Sequence, residues 1–263
     1  MVARKPVQKR PSTQRKVYKN PPITEAVCEF QFADSDNWNV TSSGLLYEKL
    51  RTEYGQVPRE QRLLRVIVPE GAKPGDVPNR LTEITKVEFA AADGLKKVTV
   101  GPGVCSAHVL KPYPGWEIFR PQIESALNHY SKVCAPKVIQ RIGLRYINHI
   151  FFPVTRGTPD DFFTEHPRSV GHLDWPVSVF NLRHEYLIVD SDSEQVTAIV
   201  NLVTIPAGPE QFGCLLDIDL IHSWKHKTFS LKTSLIALDR LRTLERQAFE
   251  ALITDITRAL FDE

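Results

Sequence analysis

Two hydrophobic periods alternate along this chain. Asn20-Pro21-Pro22-Ile23 stops any helix, and Thr24 to Phe32 then sets Ala26, Cys28, Phe30 and Phe32 against Glu25, Glu29 and Gln31, the period of a half-buried strand. Leu46, Leu50 and Tyr54 recur at helical spacing behind the N-cap candidates Ser42 and Ser43, predicting a helix over 44–54 that Gly55 ends. A Pro- and Gly-rich loop over 69–79 leads into a strand over 81–91. Asp93-Gly94 then predicts a hairpin into Val98-Thr99-Val100, and Gly101-Pro102-Gly103 a second turn into a strand over 104–110. Behind Pro112, Pro114 and Gly115, a helix from Trp116 to about Tyr130 shows the face Trp116, Phe119, Ile123, Leu127 and Tyr130. In the long strand over 138–152, Ile142, Leu144, Tyr146 and Ile150 point one way, and Arg141, Arg145, Ile147 and His149 the other.

Residues 153–176 are irregular, with one helical turn expected near 159–165. Strands near 177–190, 195–205 and 212–223 follow, separated by Asp190-Ser191-Asp192-Ser193 and Pro206-Ala207-Gly208-Pro209. The chain closes on its longest helix, about 234–260, with the stripe Leu238, Leu241, Ala248, Leu252, Ile256 and Ala259 or Leu260. The pattern predicts an α+β protein of two successive, mostly antiparallel sheet units covered by helices, ending in a long C-terminal helix. The units span 21–152 and 176–263, joined by a connector over 153–175, and residues 1–20 form a tail. A doubly wound nucleotide fold would alternate strand and helix throughout. There is no residue-level repeat.

At 263 residues and 42% hydrophobic, the chain can bury a full core without disulfides or metals. No apolar run approaches the roughly 18–20 residues of a spanning helix, and no apolar signal-peptide core follows the basic N-terminus, so a cytoplasmic protein without membrane contact is expected. Cys28, Cys105, Cys134 and Cys214 lie far apart with no C-x-x-C pair and read as reduced core thiols.

Charge changes the picture more. Residues 1–20 carry Arg4, Lys5, Lys9, Arg10, Arg15, Lys16 and Lys19 and no acid. Taking those seven from the 33 Lys and Arg leaves 26 bases against 31 acids, a formal −5 from Pro21 onward. So polar a tail cannot bury enough surface to offset its ordering entropy and is expected to be disordered. Its chemistry suits a phosphate backbone, by counterion release, or an acidic protein surface.

Candidate chemistry elsewhere is sparse. Asp217 and Asp219 share one strand face, close enough to hold a divalent cation, although an Asp-x-Asp pair on a wetted face is more often simply solvated. The connector gathers Asp160, Asp161, Glu165, His166, His172 and Asp174 at spacings that fit no zinc site. His222 and His226 lack the glutamate of a zinc-protease helix, and His222 is expected at a strand end. Gly101-Pro102-Gly103 lacks the Lys-Ser/Thr of a phosphate loop. Arg141, Arg145 and His149 form an anion-binding candidate, with guanidiniums about 13 Å apart by strand rise, unless acids of the −5 body pair with them. Neither Gly-x-Ser-x-Gly nor a cysteine-nucleophile signature occurs, and no cofactor is implied.

Several segments resemble a sporadically distributed family of uncharacterised bacterial proteins. Asn20-Pro21-Pro22-Ile23-Thr24-Glu25-Ala26-Val27 is similar to that family's opening strand, and Tyr113-Pro114-Gly115-Trp116-Glu117 to its helix entry. Arg141-Ile142-Gly143-Leu144-Arg145-Tyr146-Ile147-Asn148 resembles its central strand, and Phe249, Ile253-Thr254 and Phe261 its C-terminal helix. The resemblance implies no catalytic residues. Sporadic occurrence implies an accessory gene of the phage-defence or toxin–antitoxin kind, and hence a partner protein from the same cassette. The resulting expectation is a non-enzymatic macromolecule-binding protein whose tail contacts nucleic acid or an acidic partner. The alternative is a metal-dependent phosphoryl-transfer or nuclease domain using Asp217 and Asp219. A third reading is a small-ligand sensor with Arg141 and Arg145 lining a pocket between sheet and helices.

Overall fold

A computed structural model describes residues 17–33, 37–67, 80–166, 175, 177–189 and 194–263. In chain order the elements are β1 (Ile23–Phe32), α1 (Ser42–Leu50), β2 (Arg59–Ile67), β3 (Arg80–Ala90), β4 (Lys96–Gly101), β5 (Val104–Leu110), α2 (Trp116–Cys134) and β6 (Val138–Pro153). After a 3-10 turn at Val154–Arg156 come α3 (Pro159–Phe162), β7 (Asn181–Val189), β8 (Gln195–Ile205), β9 (Gln211–Thr228), α4 (Leu231–Leu252) and α5 (Asp255–Leu260). The α+β class and the C-terminal helix stand, but the two expected sheets are one. β1 pairs with β6 from Ile23↔Asn148 to Phe32↔Ile139, fusing both units into a nine-stranded antiparallel sheet of order β2-β3-β4-β5-β1-β6-β9-β8-β7.

The join follows from burial. β1 puts an unbroken apolar row on one face and β6 a row broken by Asn148, and as an edge either would leave a ladder of backbone N–H and C=O groups unpaired. Pairing them removes two edges at once. The order is also symmetric about that join: β5-β4-β3 on one side matches β9-β8-β7 on the other, and α2 follows β5 as α4 follows β9. The repeat is one of topology, with β2 the unmatched extra strand.

All the long helices lie on one face, with α2 against β5, α4 against β9 and β6, and α1 against α2. The residues beneath them are the apolar phase of each strand, including Cys28 and Phe30 of β1, Leu144 and Tyr146 of β6, and Leu216 and Ile218 of β9, each at most 1% exposed. Arg120 bridges α2 to α4 through two bonds to the Asp239 carboxylate, Nε at 3.2 Å and Nη2 at 3.3 Å. The opposite face carries no helix among the described residues.

Local differences have local causes. The β2 strand was not expected, because its first half, Arg59-Glu60-Gln61-Arg62, shows no apolar alternation; as an edge strand it needs only β3 as a partner. The predicted C-terminal helix breaks at Ile253-Thr254, because the connector takes the backbone there. Thr164 N–H donates to Leu252 O at 3.0 Å and Thr254 N–H to Phe162 O at 3.1 Å, while Ile253 is buried in extended conformation. Thr254 then caps α5. The Asp93-Gly94 hairpin forms between β3 and β4 as expected, with Gly94 at φ +71°, a region that favours glycine.

Candidate functional site

Sequence candidates and structure meet first on the helix-free face. Arg141, Arg145 and His149 all project there from β6, and Asp217 and Asp219 from the adjacent β9, in the register Arg145↔Asp219 and Ile147↔Asp217. Arg141 and Arg145 lie on one surface with the two acids and are paired with them, while His149 sits edge-on to Phe151. Arg145 grips Asp217 with two bonds, Nε to Oδ1 at 2.8 Å and Nη2 to Oδ2 at 2.9 Å, and Asn201 Nδ2 adds a third at 3.1 Å. The Asp217 side chain is 5% exposed and that of Arg145 48%. Arg141 Nη2 stands 3.9 Å from Asp219. The hydrogen bond from Arg145 to Asp217 raises the guanidinium pKa, and burial raises that of Asp219 against the pull of Arg141 and Arg145.

The row continues across six strands. His108 Nδ1 meets Glu25 Oε1 at 2.9 Å, Asn201 accepts from Arg183 at 3.2 Å, and Arg183 reaches Glu185. The His108 hydrogen bond holds the Glu25 carboxyl below its usual range, with burial opposing. Arg141 and Arg145 therefore do not line a pocket between sheet and helices, because strand alternation sends them to the other side. Asp217 has its oxygens engaged by Arg145 and Asn201.

Of the tail candidates, Arg4, Lys5, Lys9, Arg10, Arg15 and Lys16 lie outside the described residues, as do His172 and Asp174 of the connector. Lys19 is described and is tied down: its Nζ donates to Asp262 O at 2.9 Å, while Asn20 N–H donates to Phe261 O at 2.8 Å. Tyr18 packs edge-on against Phe261, so residues 17–20 belong to the folded body. His222 is not at a strand end but inside β9, which runs to Thr228; it is 1% exposed, its ring 3.9 Å from that of Trp224 and its Nε2 3.4 Å from Glu194. His226 is exposed. In the connector, Asp161 serves as a helix cap, accepting from Thr158 N–H at 2.8 Å, and Asp160 lies 3.6 Å from His166. All four cysteines are buried and unpaired, and burial pushes Cys134 up to about 11 and Cys214 up to about 12, far from thiolate reactivity at neutral pH.

A second site, not singled out by sequence, lies on the helix side where the two halves join. It is a cleft of ≈ 390 Å³ with three walls: the segment 17–23 entering β1, the turn Tyr113–Glu117 opening α2, and the middle of α4. Gly115 makes the turn possible by its φ of +93° at the α2 N-cap. On α4, Arg242 and Glu245 form a buried ion pair, and the Arg242 guanidinium lies 4.7 Å from the Tyr146 ring centre and 5.5 Å from that of Trp116. Burial opposes the Arg242 charge, yet the Glu245 carboxylate together with Tyr146 and Tyr113 outweighs it and raises the guanidinium pKa. Burial raises the Glu245 carboxyl, against the pull of Arg242 and Arg246. Behind them the Tyr113 and Tyr146 hydroxyls meet at 3.0 Å.

Asn148 of β6 forms the floor. It is 1% exposed, its Nδ2 donates to Leu216 O at 3.0 Å, and no protein donor reaches its Oδ1. A buried acceptor without a donor costs on the order of 1–3 kcal/mol, so such an atom calls for an explanation. A signal for this site was present in the sequence: Asn148 interrupts the apolar row Ile142, Leu144, Tyr146, Ile150, and Glu245 falls within the stripe Leu238, Leu241, Leu252. A polar residue in apolar phase marks a buried polar contact. Compared with protein-family models, curated proteins and solved structures, the chain matches none of them.

Proposed function

We propose that this protein works by binding a partner protein, which adds an extended segment to the free edge of β7. The observation that supports this reading is the exposed apolar second half of β7. The strand carries Arg183, His184 and Glu185 in its first half, but its second half and the chain leading into it expose Val179, Tyr186, Leu187 and Val189, with Val179 at 73% and Leu187 at 64%, and no further strand pairs with β7 among the described residues. An exposed apolar edge suits strand addition: main-chain bonds give affinity, and alternate side chains give specificity. The partner segment is accordingly apolar at alternate positions. On the family resemblance, the partner is a product of the same bacterial cassette, and the basic residues 4–16 add electrostatic affinity for its acidic surface or for nucleic acid. The competing phosphoryl-transfer reading has less support, since Arg145 and Asn201 engage the Asp217 carboxylate.

The test is low-salt affinity purification from the native host with wild type, Leu187→Lys, and a chain lacking residues 1–16. Deletion stops at 16 because Tyr18, Lys19 and Asn20 pack on the body. A stoichiometric partner lost in Leu187→Lys, with unchanged circular dichroism, supports the edge. Salt-sensitive retention that falls on deletion supports the tail. Identical recovery by all three forms refutes both assignments, and a β7-dependent dimer of the chain itself in size-exclusion chromatography replaces the partner with a second copy.

A further inference from the structure

The cleft between the halves contains one unmet hydrogen-bond acceptor on its floor. Two carbonyls, Leu216 O at 3.0 Å and Tyr146 O at 3.4 Å, face the Asn148 amide nitrogen, which fixes which end of the amide is nitrogen and leaves Oδ1 as the acceptor. A ligand that reaches this acceptor must bring an N–H or O–H donor.

The walls narrow the choice further. Their charged groups are already engaged: Arg242 with Glu245, Glu250 with the Tyr18 hydroxyl at 2.8 Å and with Arg258 at 2.9 Å, and Lys19 with Asp262 O. Arg246 acts on the Glu245 carboxyl. A charged ligand would have to break one of these pairs and leave its partner uncompensated, whereas an uncharged one breaks none. The remaining surface is aromatic, from Tyr113, Trp116 and Phe249, and ≈ 390 Å³ gives room for a flat ring system with a small substituent.

We propose that the cleft binds an uncharged, flat heteroaromatic ring whose N–H donates to Asn148 Oδ1. Nucleobases and indoles are two sources of that chemistry. The site is independent of the β7 edge, so either assignment can fail alone.

Four probes test it by thermal unfolding and ligand-observed NMR on the full chain: adenosine and cytidine for the nucleobase arm, indole and tryptophanamide for the indole arm. A ligand at a hundredfold excess over its Kd raises Tm by roughly 5 °C or more in a chain of this size. The arm that responds names the source. Asn148→Leu removes the acceptor and should weaken binding at least about tenfold, the factor set by one lost hydrogen bond at a buried site. Trp116→Ala removes a wall and carries the test if Asn148→Leu folds poorly. Leu187→Lys, remote from the cleft, should bind as wild type does. No response to any of the four probes overturns the proposal, as does a response that survives in both cleft variants.

Discussion

Replacing Arg145 with Met asks whether the charged row on the helix-free face is a fixed part of the sheet or an anion site awaiting a ligand. Two opposite charges about 4 Å apart attract by about 4 kcal/mol at an effective dielectric constant near 20. Desolvation of Asp217, 5% exposed, offsets part of this, and the 48% exposure of Arg145 lets water and salt screen more. A net coupling of about 2 kcal/mol remains, consistent with two charge-assisted hydrogen bonds of 2.8 and 2.9 Å working against those costs.

Arg145→Met strands a buried carboxylate with Asn201 as its remaining donor and should cost about 2 kcal/mol, roughly 5 °C in Tm. Asp217→Leu leaves a guanidinium that can turn to water and should cost about 1 kcal/mol. The double variant should be no less stable than Arg145→Met alone, which is the signature of coupling. Urea unfolding of the four proteins measures the cycle. Millimolar inorganic phosphate gives a second reading: it should leave wild type unmoved and stabilise Asp217→Leu, where Arg145 is released. A coupling below about 0.5 kcal/mol, or equal stabilisation of wild type by phosphate, would refute the fixed-pair reasoning.

Two further outcomes test the frame around the sites. Phe162 is 0% exposed and stacks on Phe152 with ring centres 3.8 Å apart, so Phe162→Ala should cost about 3–5 kcal/mol in urea unfolding; a loss under about 1 kcal/mol would mean that α3 does not hold the connector to the sheet. Glu25 has its pKa lowered by the His108 hydrogen bond, so the fold binds fewer protons than the unfolded chain as pH falls past the ordinary Glu value of 4.5. Its stabilisation is complete above that pH and is lost as pH drops through the lower folded value, so Glu25→Gln should lower Tm most at neutral pH, flatten this limb of the Tm–pH curve and converge on wild type in acid.

How much was readable in the sequence depended on whether the deciding contact was local. Strand alternation in Arg141–Ile150 put Arg145 and His149 on one face and Leu144 and Tyr146 on the other, because side-chain direction in a strand depends on position alone. The Asp93-Gly94 turn was equally local. The fusion of two sheets was not readable: β1 and β6 are separated by more than a hundred residues, and nothing in either strand names the other as its neighbour. The same holds for the break before α5, where residues 162–164 take the backbone groups that a continuing helix would have used. Arg145 and Asp217 were each found as candidates for different roles, an anion site and a metal site. Only the register of β6 against β9 shows that they satisfy each other.

The join between halves also explains where the cleft lies. Its floor residue Asn148 is on β6, Tyr113 and Trp116 come from the passage out of β5 into α2, and Arg242 and Glu245 sit on α4, which follows β9. Neither half of the topological repeat supplies all of these groups. In β1, Ile23 pairs with Asn148, so the strand contact that fuses the sheet is also what brings the segment 17–23 over the cleft as its third wall. A ligand held there touches both halves only in the joined state. Its binding energy therefore adds to the stability of the β1–β6 pairing, as linkage requires for any ligand that binds the joined form alone. Opening of that pairing, measured by hydrogen exchange at the amides of Val27 and Glu29, which face β6, should slow when the cleft is filled, and the amides of the outer strand β7 should not respond.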